Sequence, residues 1–115
     1  MPHCIFCQII EGKIPSKNVY EDEEIFAFKD ITPQAPIHIL VIPKKHFSNL
    51  NDLDENSIPL ISKIFKAIQK LAKDLKIAET GYRCVINTNA EGGQSVYHLH
   101  WHLLGGRQLG PSMVG

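Results

Sequence analysis

Three histidines at alternate positions, His98, His100 and His102, lie in the segment Val96-Tyr97-His98-Leu99-His100-Trp101-His102-Leu103-Leu104. In an extended strand the side chains alternate between faces, so the three imidazoles point one way. Tyr97, Leu99, Trp101 and Leu103 then point the other way, towards a helix. Neighbouring imidazoles are about 6.6 Å apart along the backbone. Thr, Ser or Lys could satisfy a polar strand face, so three imidazoles in register have three readings: a chance polar face, a metal site, or phosphorus chemistry. In the last, a neutral imidazole attacks phosphorus while its neighbours hold phosphate oxygens or the leaving group. A stiff strand places side chains more accurately than a loop does, which favours a nucleophile. A second signal is Cys4-Ile5-Phe6-Cys7. A C-x-x-C pair is redox-active, metal-binding or accidental, and nothing of the thioredoxin type follows it.

The elements that must position these groups can be read from periodicity. Apolar residues at 5, 6, 9 and 10 predict a short N-terminal helix that stops at Gly12. Residues 17–21 and 24–29 are β-prone runs around an acidic turn and predict a hairpin. Asp30 to Pro36 contains two prolines and reads as a loop. Ile37 to Ile42 is almost wholly apolar and predicts a central strand ending at Pro43, which has no amide for a ladder. Ile61, Ile64, Phe65, Ile68, Leu71, Ala72 and Leu75 form one helical stripe. Because Pro59 is tolerated only in a first turn, this helix starts near Ser57 and runs for about 20 residues. Its lysine face, Lys70, Lys73 and Lys76, reads as solvated. Tyr82 to Asn87 predicts a strand, residues 89–93 a loop, and Ser95 or Val96 to Leu104 the last strand, stopped by Gly105-Gly106. Helices on one face of an antiparallel sheet make an α+β domain. His3 reads as an exposed terminal residue and Cys84 as a small buried strand residue.

The 115 residues suit a single domain spanning 1–115, and 43% hydrophobic with 21% charged residues is ordinary globular usage. Twelve Lys plus Arg against twelve Asp plus Glu give no net charge, so nothing draws the chain to nucleic acid or an acidic membrane. No run approaches the roughly 18 apolar residues of a membrane span. The start lacks the pattern of a secretory leader, and three cysteines do not make a disulfide scaffold. A cytoplasmic location is expected.

His98-Leu99-His100-Trp101-His102-Leu103-Leu104 resembles the histidine-triad motif, His-φ-His-φ-His-φ-φ with φ apolar. The resemblance extends to residues 30–38, to Val41-Ile42-Pro43-Lys44-Lys45-His46, to residues 92–98 and to Gly105-Gly106-Arg107. It is closest to the histidine-triad nucleotide-binding (Hint) branch, whose bacterial members hydrolyse purine nucleoside phosphoramidates. The resemblance implies a fold with about five antiparallel strands, one long and one short helix, and a two-fold homodimer. It implies that His100 is the nucleophile at the α-phosphorus, forming a nucleotidyl-histidine that water resolves. By the same matching, His102 contacts phosphate oxygens, His38 belongs to the proton and hydrogen-bond network, and Ser95 supplies a hydroxyl beside the leaving group.

The resemblance also implies that Asp30 accepts the ribose hydroxyls, while an Asp before Thr-Pro can also simply cap a turn. Ile5, Phe6, Ile9, Phe28, Ile31 and Leu40 match the apolar slot for the base; Ile9, Phe28 and Leu40 would serve as well as plain core. Asn87, Gly93, Gln94 and Val96 match the phosphate and leaving-group side. Relatives that carry the cysteine pair have a closed Cys2His2 site, which here implies structural zinc on Cys4, Cys7, His46 and His98. The C-terminal residues 109–115 follow the bacterial pattern only at their start. Two other readings remain: a dinucleoside polyphosphate hydrolase of the same family, and a nucleotide-binding module with little catalysis.

Overall fold

A computed structural model describes residues 3–111; the end of the C-terminal segment, residues 112–115, lies outside them. Among the described residues five strands form one antiparallel sheet: β1 (Asn18–Glu21), β2 (Ile25–Lys29), β3 (Ile37–Pro43), β4 (Tyr82–Val85) and β5 (Trp101–Gly105), in the order β1-β2-β3-β5-β4. Two α-helices accompany them, α1 (Ile5–Ile10) and α2 (Ile58–Asp74). The apolar strand expected to be central is central.

Strand alternation divides the sheet into two faces, each with its own core. Ile25, Ala27, Ile39, Val41, Trp101 and Leu103 pack against Ile64, Ala67, Ile68, Leu71 and Ala72 of α2. Phe26, Phe28, Leu40 and Ile42 pack against Phe6 and Ile9 of α1. The helices therefore lie on opposite faces, not on one as the sequence reading had it. A strand covered on both sides loses its alternation and becomes continuously apolar. The unbroken buried run from Ile25 to Phe28 is the trace of that covering.

Several local expectations change for physical reasons. Helix α2 spans 17 residues, and its buried line includes Ala67, while Phe65 is 48% exposed and sits edge-on to Trp101 at 6.2 Å. Tyr97 is 47% exposed and does not pack under the helix. The last strand begins at Trp101, six residues later than its earliest expected start. Beyond Val41, which pairs with Trp101, β3 runs out into Pro43. Leu99 instead donates its amide to Phe47 O at 2.7 Å. The strand also includes Gly105, where a Cβ would meet Ile77 Cδ1 at 2.9 Å. Cys84 is exposed on edge strand β4.

Leu103 is fully buried between β3, β4 and α2. Leu103→Ala is expected to lower unfolding free energy by about 2–5 kcal/mol. Phe65→Ala on the exposed flank should cost less than about 1 kcal/mol. Urea denaturation of the two variants checks this ranking, and equal losses would contradict it.

Candidate active site and metal centre

The even-numbered side chains of β3 and β5 point to the α1 face, which brings His38 and Leu40 beside His102. The extended segment before β5 keeps the same alternation, so His98 and His100 continue the row. Of these, Leu40, His100 and His102 line a cleft of about 340 Å³, together with Ile5, Phe6, Ile9, Phe28, Asp30, Ile31, Thr32, Gln34, Ser95 and Val96. That volume is within the range of small-ligand sites. One end is apolar and carries the Phe6 and Phe28 rings, 5.4 Å apart and edge-to-face. Ile31, at 93% exposure, forms the open lip.

His38, His98 and His100 are each fixed in orientation by a backbone group able to play only one role. A carbonyl only accepts, so the 2.7 Å contact between His100 Nδ1 and His98 O places the proton on Nδ1. The lone pair of His100 is then on Nε2. Burial pushes the His100 imidazole below its ordinary range, opposed by the bond to His98 and the charge of Asp30. A buried, neutral, oriented imidazole is a competent nucleophile.

The neighbouring pair has the opposite logic. An amide only donates, so Gln34 N–H, 3.0 Å from His38 Nδ1, puts the His38 proton on Nε2. That proton is directed at His102 Nδ1, 2.9 Å from His38 Nε2, and Asp30 Oδ2 lies 3.4 Å from His38 Nε2. His102 Nδ1 thus accepts, and His102 carries its own proton on Nε2 as a neutral donor. Burial keeps His38 below the usual imidazole range, against the pull of Asp30. Asp30 does cap a turn: its Oδ1 accepts from Thr32 N at 2.8 Å and Thr32 Oγ1 at 3.1 Å. Its other oxygen, Oδ2, faces His38.

Among the described residues two groups of donors could hold a metal ion: Cys4, Cys7, His46 and His98, and Asp30, His38 and His102. Tautomers separate them. His98 Nε2 donates to Pro43 O at 2.8 Å, which leaves the Nδ1 lone pair facing the cysteines. That Nδ1 is 3.3 Å from Cys4 Sγ, 3.6 Å from Cys7 Sγ and 3.2 Å from His46 Nδ1, and Cys7 Sγ is 3.5 Å from His46 Nδ1. Tetrahedral zinc with ordinary bond lengths requires about 3.3 Å between two nitrogens and about 3.6 Å between nitrogen and sulfur. The four residues fit. In the second group His38 Nε2 bears a hydrogen because of the Gln34 amide, so the atom that would coordinate is blocked. Without a cation, burial and the adjacent Cys4 hold the Cys7 thiol up at about 11, and burial takes His98 down to about 4.

Four residues expected at the nucleotide or the chemistry, His38, Asn87, Gly93 and Gln94, are not among those lining the cleft. Gly93 donates its amide to Ala90 O within a 3₁₀ turn, Gln94 is buried in a clamp between loops, and Asn87 follows β4. Thr32 and Gln34 line the cleft and were missed. Gln34 acts through its backbone amide, which leaves no mark on residue type, whereas Thr32 two residues after Asp30 was a readable turn signal.

These assignments predict opposite tautomers for two imidazoles that flank His102. Two-bond ¹⁵N–¹H spectra at pH 7 should show the Nδ1–H form for His100 and the Nε2–H form for His38. An Nε2–H signature at His100 would contradict the site geometry.

Comparison with known proteins agrees with this architecture. The HIT domain model matches residues 11–109. A purine nucleoside phosphoramidase of Escherichia coli (strain K12) is 48% identical, covering 96% of this chain and 92% of the relative. A HIT-like protein of Chlamydia muridarum is 53% identical over 92% of this chain and 83% of its own length. Among solved structures, a HIT family hydrolase from Legionella pneumophila superposes with a TM-score of 0.93 at 50% identity, covering 95% of this chain and 97% of that one. One from Clostridium thermocellum superposes at 0.94 with 46% identity and 99% coverage of both. With sequence and backbone both matched over nearly its full length, the chain belongs to the histidine-triad (HIT) family.

Proposed function

We propose that this protein is a purine nucleoside phosphoramidase, cleaving the P–N bond of adenosine or guanosine 5′-phosphoramidates. The observation that carries the reading is the bond from His100 Nδ1 to His98 O, which leaves an unprotonated Nε2 on a residue lining the cleft. The name of the Escherichia coli relative supports the substrate class.

In this reading the base lies among Ile5, Phe6, Ile9, Phe28, Ile31 and Leu40, and the Asp30 carboxylate, which lines the cleft, accepts the ribose hydroxyls through its remaining lone pairs. The Nε2 lone pair of His100 forms a bond to the α-phosphorus as the bond from phosphorus to the amine nitrogen breaks. His102 donates its Nε2–H to a phosphoryl oxygen as the negative charge grows. The departing nitrogen must gain a proton, because an amide anion is a very poor leaving group. In this reading the hydroxyl of Ser95, which lines the cleft beside Val96, relays that proton from solvent to the departing nitrogen, which leaves as the neutral amine. Water then attacks the nucleotidyl-histidine, releasing the mononucleotide and restoring the lone pair.

The Cys4, Cys7, His46 and His98 set is the proposed structural zinc site. All four ligands come from protein, so it has no open position for substrate. Zinc there would tie α1, which supplies three residues of the cleft wall, to the segment bearing His100. A single domain, a two-fold homodimer and a cytoplasmic location complete the proposal. Among the described residues no helix is long and apolar enough to cross a membrane.

His100→Ala should lower turnover of adenosine 5′-phosphoramidate by at least about 10³-fold while AMP still binds. Comparable turnover in both proteins would refute the mechanism, and a strong preference for diadenosine polyphosphates would favour the other hydrolase branch. Because burial depresses His100, the free enzyme keeps its neutral nucleophile as pH falls towards the ordinary imidazole value near 6.5. The plot of kcat/KM against pH should therefore be flat from about 8 to 6.5, with its acid limb lower. A limb centred above 7 would contradict this.

Protein purified without added zinc should hold about one equivalent per chain, and Cys4→Ala should lose it together with thermal stability. Less than about a tenth of an equivalent in the unaltered protein would remove zinc from the account.

A further inference from the structure

Gln94 precedes the cleft residues Ser95 and Val96 yet does not line the cleft itself. Only 7% of it is exposed, and its carboxamide is occupied at both ends. Oε1 accepts from Asn89 N–H at 2.8 Å, while Nε2 donates to Ser48 O at 2.7 Å and Val96 O at 3.0 Å. One side chain thus joins the loop after His46 to both sides of Ser95.

The residue it grips is strained. Asn89 has φ 61° and ψ −177°, a region otherwise almost confined to glycine. A second buried amide holds it from the other side: Asn49, 7% exposed, donates Nδ2–H to Asn89 Oδ1 at 2.9 Å. Backbone strain of this kind persists only where surrounding contacts over-determine it, and here two carboxamides do so. The turn they enforce leads directly into Ser95.

We propose that Gln94 is a positioning residue for the phosphoramidase reaction, setting Ser95 against the leaving group without touching the nucleotide. The proposal rests on the reading of Ser95 as the leaving-group hydroxyl. Releasing the carboxamide frees Ser95 to leave its place, so the Gln94 and Ser95 side chains act as one unit in turnover.

A double-mutant cycle on the full chain in its as-purified metal state tests this, with adenosine 5′-phosphoramidate as substrate and AMP affinity measured by calorimetry. Ser95→Ala and Gln94→Ala are each expected to lower kcat about tenfold, and the double variant to fall within about twofold of Ser95→Ala. AMP affinity in the Gln94 variant should stay within about twofold of the unaltered protein. Multiplying losses in the double variant, or weakened AMP binding in Gln94→Ala, would overturn the proposal, the latter pointing to direct nucleotide contact. Full activity in Ser95→Ala is a distinct failure: it removes the Ser95 assignment and, with it, anything for Gln94 to position. Should Gln94→Ala not fold, Gln94→Glu replaces it. The glutamate preserves size and the acceptor for Asn89 but loses both donations, and the same outcomes decide.

Discussion

His98 is the residue on which the site depends. Its backbone carbonyl fixes the tautomer of His100, its Nε2–H holds the carbonyl of Pro43 where β3 ends, and its Nδ1 faces two thiols and a second imidazole. Each partner constrains the others. Pro43 has no amide for a ladder, and its carbonyl accepts a side-chain hydrogen bond across the gap where strand pairing stops. The nucleophile is therefore oriented by backbone, the least mobile group available, and that backbone is anchored by a side chain buried completely. Placing the proton on Nδ1 takes a backbone carbonyl and no ionised hydrogen-bond partner.

The second organising constraint is the parity of the sheet. With α2 on one face and α1 on the other, odd-numbered positions of β2, β3 and β5 make the large core, and even-numbered ones face the other side, where Phe28, Leu40 and His102 line the cleft. The same alternation that buries Trp101 and Leu103 against α2 presents His100 and His102 to the opposite side. Phe6 of α1 completes this arrangement, its ring standing edge-on to His98 at 5.9 Å and to His100 at 5.2 Å. Packing and chemistry are two faces of one pattern, and a single-residue slip in β5 would exchange them.

Much of this was legible before the structure. The histidine spacing, the N-terminal helix, the hairpin and the central strand follow from local sequence patterns, whereas the cysteine pair alone was ambiguous and only the family resemblance joined it to His46 and His98. What periodicity does not encode is which side of a sheet a helix covers, so α1 and α2 were placed together. The apolar continuity of β2 and β3 was the overlooked clue. The start of β5 was set too early because an extended segment and a paired strand look alike in sequence; only the end of β3 at Pro43 separates them. Gln34 and Asn49 went unread because they work through a backbone amide and a loop-to-loop bond. Cys84 was misjudged because nothing in its residue type marks an edge strand.

The most direct test of the account is the identity of the covalent species formed during turnover. Protein quenched in the steady state with adenosine 5′-phosphoramidate should, on peptide mass spectrometry, carry an adenylyl group on His100, with phosphorus NMR assigning the bond to Nε2. An adduct on His98 or His102, attachment through Nδ1 of His100, or product formed with no trapped adduct would contradict it.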